Sequence, residues 1–315
     1  MTKAILAAGI ASWCFSAVLH AGADFNLQKV GDGVWAAIST DTGKSDGNAG
    51  FVIGDDGILV VDTFEDPAPA RDLLAEIRKI SNLPIRFVVN THYHADHMVG
   101  NGVFAAAGAV IVAHRNVRAW ARKENMKLYA PNPTAEQKAN VESIVLPTVV
   151  YDGAVELYLG SRRVTVRFYP GHTGGDSVVS IPDAHVVFCG DLLWKEHIPN
   201  FIDANTTAWL KTLDAFPGDY GANTWVPGHG GPATAGDIVT FRNYIVDVRT
   251  LAAGARSAGK SGDALVQAVL PEIRAKYGKW GYFDDLAGAG IAETAEELAG
   301  TKKVPVPVAN GGAEQ

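Results

Sequence analysis

Between residues 25 and 62 short apolar runs alternate with Gly and Asp: NLQKV, VWAAIST, AGFVIG and GILVVD, broken at Gly31, Gly33, Gly47 and Gly57. Runs of this length between turn residues predict antiparallel strands. The period then changes. In PAPARDLLAEIRKI (67–80), Leu73, Leu74, Ile77 and Ile80 share one helical stripe, and Pro67 stands near the start, where a missing N–H costs least. IRFVVN (85–90) predicts a largely apolar strand, followed by a helix over 97–107, a strand at VIVAH (110–114) and a helix over 115–126. A second block repeats the order from near residue 148, with strands at 154–159, 162–169, 177–181 and 185–189, a helix over 206–215 and a strand at 224–227. Helices are predicted over 234–256, 261–277 and 286–299. Two strand-then-helix halves predict an α/β protein, an αββα four-layer sandwich, with a helical C-terminal extension. The expected organisation is one domain over 24–232, the extension over 233–300 packed on it, and a flexible tail over 301–315. That tail carries two prolines and no periodicity.

Composition narrows the function. A 315-residue chain with 47% apolar residues can bury a sizeable core, which excludes a disordered or fibrous protein. There are 27 Lys+Arg against 34 Asp+Glu, and no basic run exceeds two residues. That distribution argues against a phosphate-binding face, so the expected partner is a small-molecule substrate and not nucleic acid. The N-terminus reads differently. Lys3 precedes an uncharged stretch over 4–19, and Ala21-Gly22-Ala23 has the small-x-small pattern of a signal peptidase site. A cleaved signal over 1–23, cut after Ala23, predicts a periplasmic or secreted protein. The apolar run is shorter than the roughly 20 residues that cross a bilayer, so no stable membrane insertion is expected. Trp13 before Cys14 argues against a lipid-attached cysteine. Cleavage leaves Cys189 as the one thiol, so no internal disulfide is possible and the core must hold itself together.

The chemistry concentrates in four segments, each following an apolar run. The first is Thr91-His92-Tyr93-His94-Ala95-Asp96-His97 at the exit of IRFVVN. Extended backbone puts His92 and His94 on one side, and the following turn can bring Asp96 and His97 to a neighbouring point. Then come Pro170-Gly171-His172-Thr173, Phe188-Cys189-Gly190-Asp191 and Pro227-Gly228-His229-Gly230. Glycine beside a ligand lets the backbone turn sharply and approach closely. Other motifs lack their context. GKSDG (43–47) matches GxSxG but leads into a strand, and GARSAGKS (254–261) matches a phosphate loop but follows a helical pattern. Ser177 of the GDS triplet opens a strand. His114 and His185 read as structural.

HxHxDH, then GH, then an acid, then GH, in this order over roughly residues 28–232, resemble the metallo-β-lactamase superfamily. The resemblance implies that His92, His94 and His172 hold one metal, that Asp96, His97 and His229 hold a second, and that Asp191 bridges them. Asp62, ending GILVVD, matches the family's Asp beneath the site. Asn200-Phe201-Ile202-Asp203-Ala204-Asn205 looks like a substrate-orienting segment of zinc β-lactamases whose second metal takes a Cys ligand. Here Asp191 stands in place of that Cys, and the all-nitrogen-and-oxygen set is closer to glyoxalase II and lactonases. Lys195 lies one residue beyond the family's carboxylate-binding lysine, Trp194 and His197 fall where a pocket wall is expected, and Cys189 reads as an apolar filler. The implied cofactor is two Zn(II), with Fe or Mn chemically possible. The implied activity is hydrolysis of a carbonyl substrate, a β-lactam amide, lactone or ester, by a metal-bridging hydroxide that Asp96 orients. A thioester hydrolase, a mononuclear iron oxygenase like the persulfide dioxygenases, and a non-catalytic metal-binding module remain open at this point.

Overall fold

The computed structural model describes residues 18–21, 24–129, 131–222 and 224–308. Most of the signal segment therefore lies outside the described residues, as do residues 309–315 of the tail. Strands β1 (Val18–Ala21), β2 (Phe25–Gly31), β3 (Val34–Ser39), β4 (Ala49–Ile53) and β5 (Ile58–Val61) form an antiparallel meander. Helix α1 (Pro67–Ile80) begins where Asp66 accepts the Ala68 N–H at 2.7 Å, with Pro67 in the first turn. It leads to β6 (Ile85–Asn90), α2 (Asn101–Ala106), β7 (Val110–His114), α3 (Arg115–Trp120), α4 (Lys123–Leu128), α5 (Ala135–Ser143) and β8 (Val149–Tyr151). From β5 to β8 the pairing is parallel, which completes an eight-stranded sheet in sequence order.

The second sheet holds β9 (Ala154–Leu159), β10 (Arg162–Phe168), β11 (Ser177–Ile181), β12 (Val186–Trp194) and β13 (Thr224–His229), in the order β13-β12-β11-β10-β9. Only β12 and β13 are parallel, joined by α6 (Thr206–Asp219). Strand alternation then builds the layers. Val34, Ala36 and Ile38 of β3 face Val166, Val179 and Phe188 between the sheets, while Trp35 and Ala37 turn outward to Leu73 and Ile77 of α1. On the far side Val187 and Cys189 meet Trp209, Phe216 and Phe241. Helices α7 (Ala235–Ser257), α8 (Gly262–Tyr277) and α9 (Phe283–Ala299) pack there too, so the extension shares a core with the second sheet. The αββα sandwich with its helical extension is the fold the sequence pattern predicts.

Four local expectations change. The helix expected over 97–107 begins only at Asn101, because the His97 carbonyl accepts the Thr63 N–H and the Asn90 amide and cannot serve a helix. The helix expected over 115–126 is two, α3 and α4. The strand expected to end at residue 189 continues as β12 to Trp194, so Asp191 lies within a fully buried strand. The tail was expected to be disordered, yet residues 301–308 lie against the body. Lys302 Nζ donates to the Phe201 and Ala204 carbonyls, Trp120 Nε1 donates to the Val306 carbonyl, and the Val308 N–H donates to Asn116 Oδ1. Helix α5 had no counterpart in the sequence pattern. No helix among the described residues is long and apolar enough to cross a membrane.

Candidate metal centre

Parallel strands present their C-terminal ends to the same edge, the usual place for a site in an α/β sheet. β5 delivers Asp62, β6 delivers Thr91 through His97, β12 carries Asp191, and β13 ends on His229. The loop between β10 and β11 adds His172. Seven side chains from these segments converge in two groups: His92, His94, His172 and Asp191, and Asp96, His97, Asp191 and His229. Within each group the candidate ligand atoms all lie within 4.8 Å of one another.

Asp191 belongs to both groups through different oxygens. Its Oδ2 lies 3.2 Å from His172 Nε2 and 3.6 Å from His92 Nε2, and its Oδ1 lies 3.1 Å from His97 Nε2 and 3.5 Å from His229 Nε2. Asp96 Oδ2 closes the second group at 2.9 Å from His97 Nε2 and 3.3 Å from His229 Nε2. His94 Nδ1 closes the first at 3.0 Å from His172 Nε2. This approach depends on Gly228: a Cβ there would stand 1.8 Å from Asp191 Oδ1.

Asp62 orients both groups. It accepts the Thr91 N–H at 2.7 Å and the Thr91 hydroxyl at 2.6 Å, and it faces His97 Nδ1 at 2.9 Å. Thr91 Oγ1 in turn faces His92 Nδ1 at 3.2 Å. Both imidazoles thereby direct Nε2 inward, the arrangement in which an outer carboxylate fixes a ligand's tautomer. Asp203 does the same for His94, facing its Nε2 at 3.4 Å while accepting the Tyr93 hydroxyl.

The inner nitrogens have nowhere else to go. His92 Nε2 is buried without a hydrogen-bond partner, and His97 Nε2 and Asp191 Oδ1 meet only other atoms of the cage, an arrangement costly in an ordinary core. Charge is uneven between the groups. Burial, then the neighbouring His97, hold His92 well below the usual imidazole range, and burial holds His172 down at about 3. His97 is driven well above that range: burial opposes its charge, but Asp96, Asp191 and Asp62 together prevail. His229 rises to about 10 against the same burial because Asp191 and Asp96 face it. Burial alone would raise Asp191, yet His229, His97, His92 and His172 hold it well below the carboxylate range. A buried set of imidazole and carboxylate donors with unpartnered atoms is chemically fit for divalent cations.

The substrate residues suggested by the sequence fare differently. Trp194 is buried beneath the cage and stacks on His229, with ring centroids 3.8 Å apart and planes at 22°. His197 holds the backbone together: its Nδ1 donates to the Lys195 carbonyl at 2.7 Å and its ring packs on Tyr282 at 5.3 Å. Asn200 Oδ1 accepts the Ile202 N–H in its own turn. Lys195 is engaged by the Pro232 carbonyl at 2.9 Å and by Asp237 at 3.6 Å, not by the cage. Ser45 of the GxSxG match donates to the Asp24 carbonyl, and Gly47 presses on the cage instead: a Cβ there would lie 2.7 Å from His97 Nε2. Asn48 secures that loop by donating hydrogen bonds from its side-chain Nδ2 to the Pro227 and Gly230 carbonyls at 2.9 and 2.8 Å. His114 is structural, with Nδ1 accepting the Asn116 N–H and Nε2 at the Asp152 carbonyl. Sequence reasoning passed over Asp203, Asp46, Glu65 and Tyr282. Asp203 sat inside the Asn200 segment and Asp46 inside GKSDG, while Tyr282 reaches the site only through the folding of the extension.

An αββα sandwich carrying a histidine and aspartate cage at the strand ends defines a class of metal-binding proteins. Residues 42–236 match the model of the metallo-beta-lactamase superfamily, and the chain belongs to that family. It is 25% identical over 267 residues to a linear primary-alkylsulfatase of Pseudomonas, covering 70% of this chain and 50% of that one. It is 24% identical over 216 residues to the type 2 metallo-beta-lactamase of Bacillus cereus, covering 65% and 76%. A hydroxyacylglutathione hydrolase of Mesorhizobium japonicum is 32% identical over 179 residues, covering 55% and 61%. Thus the chain spans half the length of the alkylsulfatase. Among solved structures, a metallo-beta-lactamase from Pontibacter korlensis superposes with a TM-score of 0.58 at 22% identity, covering 70% of this chain and 99% of that one, which shows the shared fold.

Proposed function

We propose that the protein is a secreted dinuclear zinc hydrolase that cleaves a carbonyl substrate, an ester or lactone ahead of a β-lactam. The observation that carries this reading is the division of Asp191 between the two groups, one oxygen to each. A single iron, as in an oxygenase, would leave one half of that arrangement without purpose. His92, His94 and His172 would hold one ion, Asp96, His97 and His229 the other, and Asp191 would join them. Metal bound there would lower the pKa of its water from about 15.7 to about 7 and polarise a carbonyl oxygen, so no side-chain nucleophile would be required. Asp62 and Asp203 hold the imidazoles in register. Asp96 stands at the opening, with its side chain 16% exposed against 2% for Asp191, where it can orient the attacking water and accept its proton. Lys195 offers no cation to a substrate carboxylate, which sets β-lactams behind neutral carbonyl compounds. Secretion rests on the 1–23 segment, and the mature chain would begin at Asp24, leaving the first sheet without β1.

The test is metal analysis with turnover. The zinc-loaded protein should carry about two zinc per chain and hydrolyse members of a panel of esters, lactones, a thioester and a β-lactam. Chelation should abolish that turnover. Full turnover by metal-free protein, or one iron per chain with oxygen uptake, would overturn the reading.

A further inference from the structure

Helix α9 ends on Gly300, whose φ of +72° turns the chain back, so that the Thr301 and Lys302 N–H groups return to the Glu296 carbonyl at 3.0 and 3.3 Å. The reversal carries Lys302 inward. Its side chain is only 5% exposed, a position an ammonium occupies only when its N–H donors are met. Two donors reach the carbonyls of Phe201 and, at 2.7 Å, Ala204, and Glu293 Oε2 supplies the counter-charge at 3.7 Å. Those two carbonyls bracket Asp203. The Phe201 carbonyl also accepts the Ala204 N–H at 3.0 Å, which closes the turn, and from inside that turn Asp203 faces His94 Nε2 at 3.4 Å. Just beyond, Glu297 of α9 accepts the N–H and hydroxyl of Thr206 at 2.8 and 2.7 Å, and those of Thr207 at 3.1 Å each. The extension therefore grips this segment with a cation on carbonyls 201 and 204 and an anion on amides 206 and 207.

Fastening the tail does not require this arrangement. Beyond Lys302 the tail has hydrogen bonds of its own, from Trp120 Nε1 to the Val306 carbonyl at 3.2 Å and from the Val308 N–H to Asn116 Oδ1 at 3.0 Å. An apolar side chain of the same length would fill the same space without the cost of withdrawing a charge from water. What the ammonium adds is a fixed geometry for two carbonyls of one turn. We propose that Lys302 is a positioning residue of the metal centre: by holding the 201–204 turn it sets Asp203 against His94, and with it the orientation in which His94 presents Nδ1 to the first position. This rests on the dinuclear reading above.

Stepwise zinc binding, measured by competition with an indicator, tests this without turnover. K302M keeps the length of the side chain and removes its donors. K303M makes the same change of charge one residue on, at an exposed lysine that forms no ion pair among the described residues. K302M should weaken one of the two steps by about 10-fold, the step that D203N weakens, and leave the other unchanged. K303M should change neither. Because Lys302 acts through Asp203, the effects should not add: D203N/K302M should bind within about two-fold of D203N alone. E293Q removes only the counter-charge and should weaken the same step by about three-fold, which decides the question if K302M does not fold. An unchanged step in K302M, or in E293Q where K302M does not fold, would overturn the assignment, as would equal weakening of both steps or additive effects with D203N. If the unmodified protein takes up one zinc, the dinuclear reading falls, and the same variants decide the role of Lys302 on that single step.

Discussion

The two halves of the cage are built from the same two kinds of side chain, in different proportions, and are held in opposite charge states. In the first, three imidazoles meet one oxygen of Asp191, and burial keeps His92 and His172 neutral, the latter titrating near 3. In the second, two imidazoles meet two carboxylates, and His97 and His229 carry protons, the latter up to about 10. The first position is therefore ready for a cation, whereas the second must release protons before it takes one. Donor identity alone does not make this difference. It comes from the local ratio of carboxylates to imidazoles, with Asp62, Asp96 and Asp191 all within reach of His97.

The side chain common to both halves offers the most severe test. Asp191→Ala removes a donor from each position and leaves the histidines facing a void. Zinc content should fall from about two per chain to near zero, and turnover on the order of 10³-fold or more. Elemental analysis with a kinetic assay decides it. Retention of one tightly held zinc would show that Asp191 serves one half only.

The charge contrast predicts a pH dependence whose sign is fixed. His97 and His229 have raised pKa values, so both are protonated at pH 7 and a cation in the second position must displace those protons; affinity therefore rises with pH, toward about 10. His172, already deprotonated above about 3, releases nothing. Filling both positions at pH 7 should release about two protons, equivalent to about 100-fold in overall affinity per pH unit. Calorimetry in buffers of different ionisation enthalpy counts them directly. A net release near zero would remove the distinction between the halves.

The supporting carboxylates sharpen the comparison further. Asp62 contacts His97 directly and reaches His92 through Thr91, whereas Asp203 contacts only His94 of the cage histidines. Asp62→Asn should weaken both positions and Asp203→Asn the first alone, each by about 10- to 100-fold. Competition against a zinc indicator, read as two binding steps, separates these outcomes. Equal weakening of both steps by Asp203→Asn would show that the halves are not independent.

What could be read from the sequence follows the range of the interactions involved. His92 to His97 lie in one loop, and His172, Asp191 and His229 each follow an apolar run beside a glycine, so the residues that converge were visible, while their division into two groups came from the family resemblance. The layers were legible too, because each strand's alternation states which residues face inward. Asp203, Asp46 and Tyr282 were not, since each acquires its role from a partner far along the chain; Tyr282 meets Asp46 across 236 positions. Lys195 and Asn200 were placed by motif spacing, and their contacts with Pro232 and Ile202 are set by loop geometry that spacing does not encode. The tail looked disordered by composition, but among its described residues, 301–308, Lys302 is held by two backbone carbonyls, a contact that leaves no periodic trace.

Helix α5 is the instructive miss, and it supplies the mildest test. Val141 is its one buried residue, so it shows no apolar stripe, and hydrophobic period could not reveal it. Its signal was local: Thr134-Ala135-Glu136-Gln137 is a capping box, in which the Thr134 hydroxyl accepts the Gln137 N–H at 3.1 Å and Gln137 Oε1 accepts the Thr134 N–H at 3.0 Å. Thr134→Ala should destabilise the fold by about 1 kcal/mol, measured as a lower urea midpoint at unchanged slope. Asn140 of α5 reaches the Glu65 carbonyl at 3.4 Å, whereas the cage is held by the strands. The variant should therefore keep its full zinc content and its proton release, while a loss of either would mean that this surface helix, and not only the strand ends, sets the balance between the two halves.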